Sequence, residues 1–179
     1  QLIHRERRMA IMNEVHDILY LCEMKEKCKF GIYGDDEMIR KYADSDIDSV
    51  MQIWLITNIQ THNFISPDYW QSNFDKVKEI MPLAEIYVHE GDNANQIDGF
   101  IGLNNDNIEG IFIKEAAQSK GAGKQLLDHV KKVKSTLKLN VYQKNERAIQ
   151  FYLREEFSIQ SESLDSNTGE KELIMVWKR

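Results

Sequence analysis

Apolar residues recur every three or four positions over residues 4–28, where Met12, Val15, Ile18, Leu19 and Cys22 share one stripe, and this spacing predicts a helix. GIYGDDE (31–37) breaks that pattern, and IRKY (39–42) reads as a short strand. SDID (45–48) has the order of a capping box and opens a helix carrying Ile47, Val50, Met51, Trp54 and Leu55 on one stripe. Ser66 and Pro67 suit the N-cap and first position of the next helix, with Trp70, Phe74, Val77 and Met81 inward, and Pro82 should end it. The period then shifts toward strands. EIYVHEG (85–91) and IDGFIGLNN (97–105) flank the turn-rich DNANQ, and NIEGIFI (107–113) follows. A helix with Leu126, Leu127, Val130 and Val133 inward comes next, then the strand LKLNVYQ (137–143) and the helix NERAIQFYLREE (145–156). FSIQSESL and KELIMVW close the chain as a hairpin around DSNTGE (165–170).

A chain of 179 residues fits one domain, here with an appended element, and can bury a substantial core. Two prolines and nine glycines leave no flexible linker, and no stretch is long and apolar enough to span a membrane. The start at Gln1 reads as a trimmed or incomplete one, nothing there has the apolar region of a secretory signal, and a cytoplasmic protein is expected. Cys22 and Cys28 have no second pair or nearby histidine to complete a zinc site and read as reduced thiols. The histidines, at 4, 16, 62, 89 and 129, are scattered, so no metal is expected.

The net charge of −6 argues against a nucleic-acid partner, but its distribution is uneven. Nine Lys/Arg against three Asp/Glu between Lys114 and Arg147 make a local +6, leaving −12 elsewhere. HVKKVKS (129–135) reads as a solvated lysine-rich helix face, whereas Lys120 and Lys124 border glycines and are better placed for an anion. Those glycines lie in QSKGAGKQLL (118–127), where a loop turns into a helix whose first N–H groups have no internal partner. A P-loop would need glycine at Gln118 and Ser/Thr at Gln125. A dinucleotide fingerprint would need glycine at Leu126.

The pattern that survives is strand, Gln-x-x-Gly-x-Gly, helix, and in Gln118, Gly121 and Gly123 it resembles the GNAT family of acyl-CoA-dependent N-acetyltransferases. VYQKNERAIQFYLREEF (141–157) resembles the following strand and helix of that family, and Asn145, Ala148 and Tyr152 fall along one helical stripe. The resemblance covers residues 38–179. THNFI with DYW, VYQKN with FY, and TGE with MVW are similar to small bacterial acetyltransferases of the protein-lysine or alpha-amine type. One position departs from the family: a glycine usually closes the Tyr152 helix, and here Glu156 stands in its place, so that residue is either strained or the helix ends differently.

The resemblance implies an α+β GNAT fold, with a mixed, mostly antiparallel sheet of about six to seven strands flanked by helices. It would occupy residues 38–179, with residues 1–37 as an N-terminal helical extension. It implies acetyl-CoA as co-substrate, no metal, and direct transfer of the acetyl group to a primary amine of a protein or small molecule. Cofactor contacts are expected from the strand Ile111, Phe112 and Ile113, from the loop Gln118, Ser119, Lys120, Gly121, Ala122, Gly123 and Lys124, and from Asn145, Ala148, Phe151 and Tyr152. Tyr152 stands where the family's tyrosine protonates the departing sulfur, although by itself it also suits a buried aromatic. The base is open between Glu109, His62 and a chain of waters; His62, Phe64 and Trp70 lie where the family's first two helices frame the acceptor, and Glu109 is expected near it. A non-catalytic acyl-CoA-binding or interaction module is the alternative. A monomer or homodimer without a membrane partner is expected.

Overall fold

The computed structural model describes residues 38–91 and 96–179. The helix expected over residues 4–28, the extension 1–37 and both cysteines lie outside the described residues. Seven strands form one sheet in the order β1-β2-β3-β4-β5-β7-β6. They are β1 (Ile39–Lys41), β2 (Glu85–Glu90), β3 (Ile97–Asn104), β4 (Asn107–Ile113), β5 (Thr136–Tyr142), β6 (Ser158–Leu164) and β7 (Lys171–Lys178). Among the described residues four α-helices accompany them: α1 (Ile47–Thr61), α2 (Pro67–Ile80), α3 (Ala122–Val133) and α4 (Glu146–Arg154). This is the expected α+β fold.

The period-two alternation of the strands sorts side chains onto two faces. Ile86, Val88 and Phe100 join Val50, Met51, Trp54, Trp70 and Val77 of α1 and α2 in one buried cluster. Tyr87, Ile101, Leu139 and Met175 join Leu126, Leu127 and Val130 of α3 and Tyr152 of α4 in the other. Val133, expected inward, is 59% exposed because it is the last residue of α3, where the chain has already turned toward β5.

The helix caps follow the sequence at one end of the α1–α2 pair and depart from it at the other. Ser66 Oγ accepts the Asp68 amide and Pro67 occupies the first turn of α2, as expected. The capping box expected from Ser45 is replaced by a 3-10 turn over Asp44–Asp46 before α1. There the Asp46 carboxylate accepts the Ala43 amide at 2.8 Å and ion-pairs with Arg40 of β1, which holds its pKa below the usual carboxylate range. An arginine across the turn thus outcompetes a serine hydroxyl for control of the helix entrance.

Glu156 takes the strained of the two options open to it, with φ of +67°. Its amide bonds the Leu153 carbonyl and the Phe157 amide bonds the Tyr152 carbonyl, the paired bonds of a Schellman ending. Phe157 then packs on Tyr152, ring centroids 5.4 Å apart, so this turn also seats the Tyr152 ring. A left-handed non-glycine residue costs roughly 1–2 kcal/mol, part of which glycine returns as unfolded-chain entropy. Glu156→Gly should therefore stabilise the protein by up to about 1 kcal/mol, read as a rise of about 2–4 °C in Tm. A fall in Tm would show that the glutamate side chain has a role that its backbone geometry does not reveal.

Candidate active site

The site begins where the sheet splits. Among the described residues β4 and β5 are the only parallel neighbours, and they pair only at Asn107↔Lys138 and Ile108↔Leu139, although β5 continues along β7 through Tyr142. The remainder of β4 stays on β3 and leaves its other backbone edge open. A bulge opens the split: Gly102 faces Gly110 but Leu103 faces Ile108, so Glu109 is the extra residue. The Lys114 amide bonds Asp98 of β3, and by strand alternation the polar groups of Ile111 and Ile113 then face away from β3, into the split. Gln118 Nε2 satisfies the Ile113 carbonyl at 3.0 Å, in keeping with that direction.

The 118–124 loop is shaped by its backbone. Ser119 and Gly121 both have positive φ, 62° and 97°. Gly121 is the N-cap of α3, and the first intrahelical bond runs from the Gln125 amide to its carbonyl at 2.9 Å. The amides of Ala122, Gly123 and Lys124 precede that bond and point out of the helix start, as an anion site requires. Arg147 of α4 braces the loop, donating to Gln118 Oε1 at 2.8 Å and to Ser119 Oγ at 3.2 Å. Lys124 is held by carboxylates: it contacts Asp128 and Glu155, both at 3.0 Å, and the Glu155 bond raises its pKa.

Two cavities meet at the split. The first, about 420 Å³, is lined by Ile111, Phe112, Ile113, Gln118, Ser119, Gly121, Gly123, Lys124, Asn145, Ala148, Phe151 and Tyr152, together with Thr57, Asn58 and His62 of the α1 end. The second, about 140 Å³, is walled by Trp54, Tyr69, Trp70 and Tyr142 and carries Glu109, Asn140 and Glu172. Asn58, His62, Ile111, Phe112, Asn145, Ala148 and Tyr152 border both. Of the residues anticipated for the cofactor, Lys120 is exposed and Ala122 buried beneath the loop, and neither lines the first cavity. Phe64 borders neither of the two; it lines an adjoining depression and packs edge-on against His62 and Tyr142.

Tyr152 is 7% exposed, between Phe151 and Phe157. Burial pushes its phenol pKa up, so the hydroxyl keeps its proton through the working range. His62 caps α1 among Phe64, Trp70 and Tyr142, and burial pulls its pKa down to about 4, so the ring is neutral. Asn145 is the N-cap of α4, its Oδ1 accepting the Ala148 amide. Asn58, Arg147, Tyr142 and Glu172 were not anticipated. Sheet register sets Tyr142 of β5 opposite Glu172 of β7, and helix packing brings Asn58 of α1 and Arg147 of α4 to the same split.

An open β4 edge, an anion-ready helix start and a cleft between them suit an extended phosphorylated ligand. Residues 82–159 match the family model described as an acetyltransferase (GNAT) domain. The chain is 30% identical over 142 residues to the peptidyl-lysine N-acetyltransferase YiaC of Escherichia coli, covering 78% of this chain and 96% of YiaC. It is 26% identical over 131 residues to the peptidyl-lysine N-acetyltransferase YjaB of Escherichia coli, covering 73% and 88% of the two chains. The solution structure of apo YjaB superposes with a TM-score of 0.69 over 78% of this chain and 95% of that one, at 26% identity. A PaiA N-acetyltransferase from Thermoplasma acidophilum, solved with coenzyme A, shares the fold at TM-score 0.64 and 21% identity, covering 79% and 98%.

The chain belongs to the GNAT family. It is an acetyltransferase that moves an acetyl group from acetyl-CoA to an amine, which sets aside the reading as a non-catalytic module. Among the described residues no helix is long and apolar enough to cross a membrane, and no group of three or more His, Cys, Asp or Glu is placed to hold a metal.

Proposed function

We propose that this enzyme acetylates lysine side chains of proteins or peptides by direct transfer, with acetyl-CoA in the first cavity and the amine entering through the second. The observation that carries the reading is the second cavity. It is narrow, walled by Trp54, Tyr69, Trp70 and Tyr142, and includes the carboxylates of Glu109 and Glu172. Aromatic faces favour an alkyl chain and attract its ammonium end, and the carboxylates complement the charge. The names of YiaC and YjaB support the same substrate class.

On this reading the co-substrate supplies an activated acyl group, and the chain's residues do the rest. The amides of Ala122, Gly123 and Lys124 hold its phosphates, and the open edge of β4 at Ile111 and Ile113 aligns its arm. Gln118, Ser119 and Arg147 fix the loop; Asn145, Ala148 and Phe151 line the channel along α4. Tyr152 donates its proton to the sulfur as the C–S bond breaks. Most of the rate comes from alignment of two reactants in one split of the sheet, with proton transfer adding its share.

Incubating the enzyme with acetyl-CoA and an N-terminally blocked lysine peptide, beside free polyamines and an arginine-for-lysine control, tests this directly. Mass spectrometry should find the acetyl group on the lysine side chain. Acetylation of the small amines with none on any lysine peptide would overturn the substrate class.

Lys124→Ala should weaken acetyl-CoA binding by no more than about threefold, because the ammonium is already paired with Asp128 and Glu155 and is screened by solvent. A tenfold loss in calorimetry would mean that the lysine leaves its carboxylates for the ligand.

A further inference from the structure

Asn58 is bound to His62 twice. Its carbonyl accepts the His62 amide at 2.8 Å, ending α1, and its Oδ1 lies 3.1 Å from His62 Nδ1. The Asn58 amide cannot be turned over, because its Nδ2 donates to the Trp54 carbonyl at 3.0 Å. Oδ1 only accepts, so the ring proton sits on Nδ1.

The other ring nitrogen is fixed independently from α4. Asn145 Oδ1 accepts the Ala148 amide at 3.2 Å, which leaves Nδ2, a donor, 3.5 Å from His62 Nε2. Nε2 therefore presents a lone pair. Two asparagines on different helices demand the same tautomer, and Asn58 is only 3% exposed, so its amide is held in place by the core. At 3.5 Å the Asn145 contact is long, and the lone pair is open to a better donor. His62 borders both cavities, where donor and acceptor would meet.

We propose that His62 Nε2 takes the proton of the attacking amine, and that Asn58 is the positioning residue that keeps this lone pair available. The proposal rests on the reading that the second cavity receives the amine. In the balanced step, the neutral amine nitrogen bonds the acetyl carbon and the C–S bond breaks. One proton passes from nitrogen to Nε2, and the Tyr152 proton passes to sulfur. Burial makes the imidazolium a strong acid and the phenolate a strong base, so Tyr152 is reprotonated at the expense of His62 and both groups return to their starting state. The other titratable or charged groups lining these cavities are Lys124, Arg147, Arg154 and Glu155 in the first and Tyr69, Glu109, Tyr142 and Glu172 in the second, the Tyr142 hydroxyl donating to Asp165, and Lys144 lies nearby over the Phe64 ring.

The test uses the full chain and a lysine peptide that wild type acetylates; a silent wild type would sink the parent reading and not this one. His62→Asn keeps a donor for Asn58 and removes the ring base. It should lower kcat/KM for the peptide about 100-fold while acetyl-CoA affinity holds. Added imidazole should restore part of the activity of His62→Gly. Asn58→Asp places a carboxylate against Nδ1 and raises the imidazole pKa. Because amine and imidazole must both be unprotonated, log kcat/KM should then fall with slope two below that pKa, where wild type keeps slope one. Should Asn58→Asp fail to fold, the two His62 variants decide alone. A His62→Asn enzyme within threefold of wild type, a His62→Gly enzyme that imidazole does not rescue, or a folded Asn58→Asp with the wild-type slope would each overturn the proposal.

Discussion

Tyr152→Phe should lower kcat roughly ten- to a thousandfold, the range expected for loss of one general acid, while acetyl-CoA affinity stays within a few-fold of wild type. The ring is held between Phe151 and Phe157, so removing one hydroxyl leaves the packing in place and costs little stability. The hydroxyl belongs to a residue that borders both cavities, and burial keeps it protonated. Sign and pH follow from that shift. A phenol whose pKa is raised stays a proton donor across the neutral and mildly basic range, so wild type should show no loss of kcat from this group up to about pH 10. A purely structural tyrosine predicts the reverse pattern, near-normal turnover with a small drop in Tm. Steady-state rates of both proteins across pH separate the two, and wild-type turnover in the variant would remove Tyr152 from the chemistry.

Much of the frame was legible in the residues. Period-two runs marked β2, β3 and β4 within a residue or two, and Ser66, Pro67 and Pro82 bracketed α2, because these signals are local and each acts through its own backbone. The 118–124 loop was legible for the same reason: Gly121 announces a left-handed N-cap that other residues adopt only with strain. What escaped depends on distant contacts. Arg40 reaches across from β1 to take Asp46, and no local rule for a helix start includes that arginine. The second cavity escaped more fully, since it gathers Trp54, Tyr142 and Glu172 from three elements whose adjacency requires β7 to lie between β5 and β6. Glu109 was legible as a candidate base on its strand, but its bulge is a property of the β3–β4 pairing. The apolar stripe that marks α1 says nothing of Asn58; its meaning lies in His62, four residues on, and in Trp54, four residues back.

Gly123→Val should weaken acetyl-CoA binding at least tenfold with the fold intact, for a reason that differs from the one at Gly121. Gly121 needs glycine for its φ of 97°, whereas Gly123 lies in the first turn of α3, where any residue is accommodated. A Cβ at Gly123 would come to 3.7 Å from Ile113 Cγ1, 3.9 Å from Phe151 Cζ and 4.0 Å from Ile111 Cγ2, ordinary contacts that cost the empty protein nothing. Those three neighbours also line the first cavity, so the added branches of valine would stand in the channel between the open β4 edge and α4. They would also shield the amides of Gly123 and Lys124, whose use for an anion requires close approach of the ligand to bare backbone. Gly121→Val, by contrast, should lose stability first, through backbone strain of about 1–2 kcal/mol. Calorimetric titration with acetyl-CoA, paired with thermal melts of both variants, distinguishes an obstructed channel from a strained turn. Unchanged affinity in a well-folded Gly123→Val protein would place the coenzyme elsewhere, and with it the direction from which the acetyl group meets Tyr152.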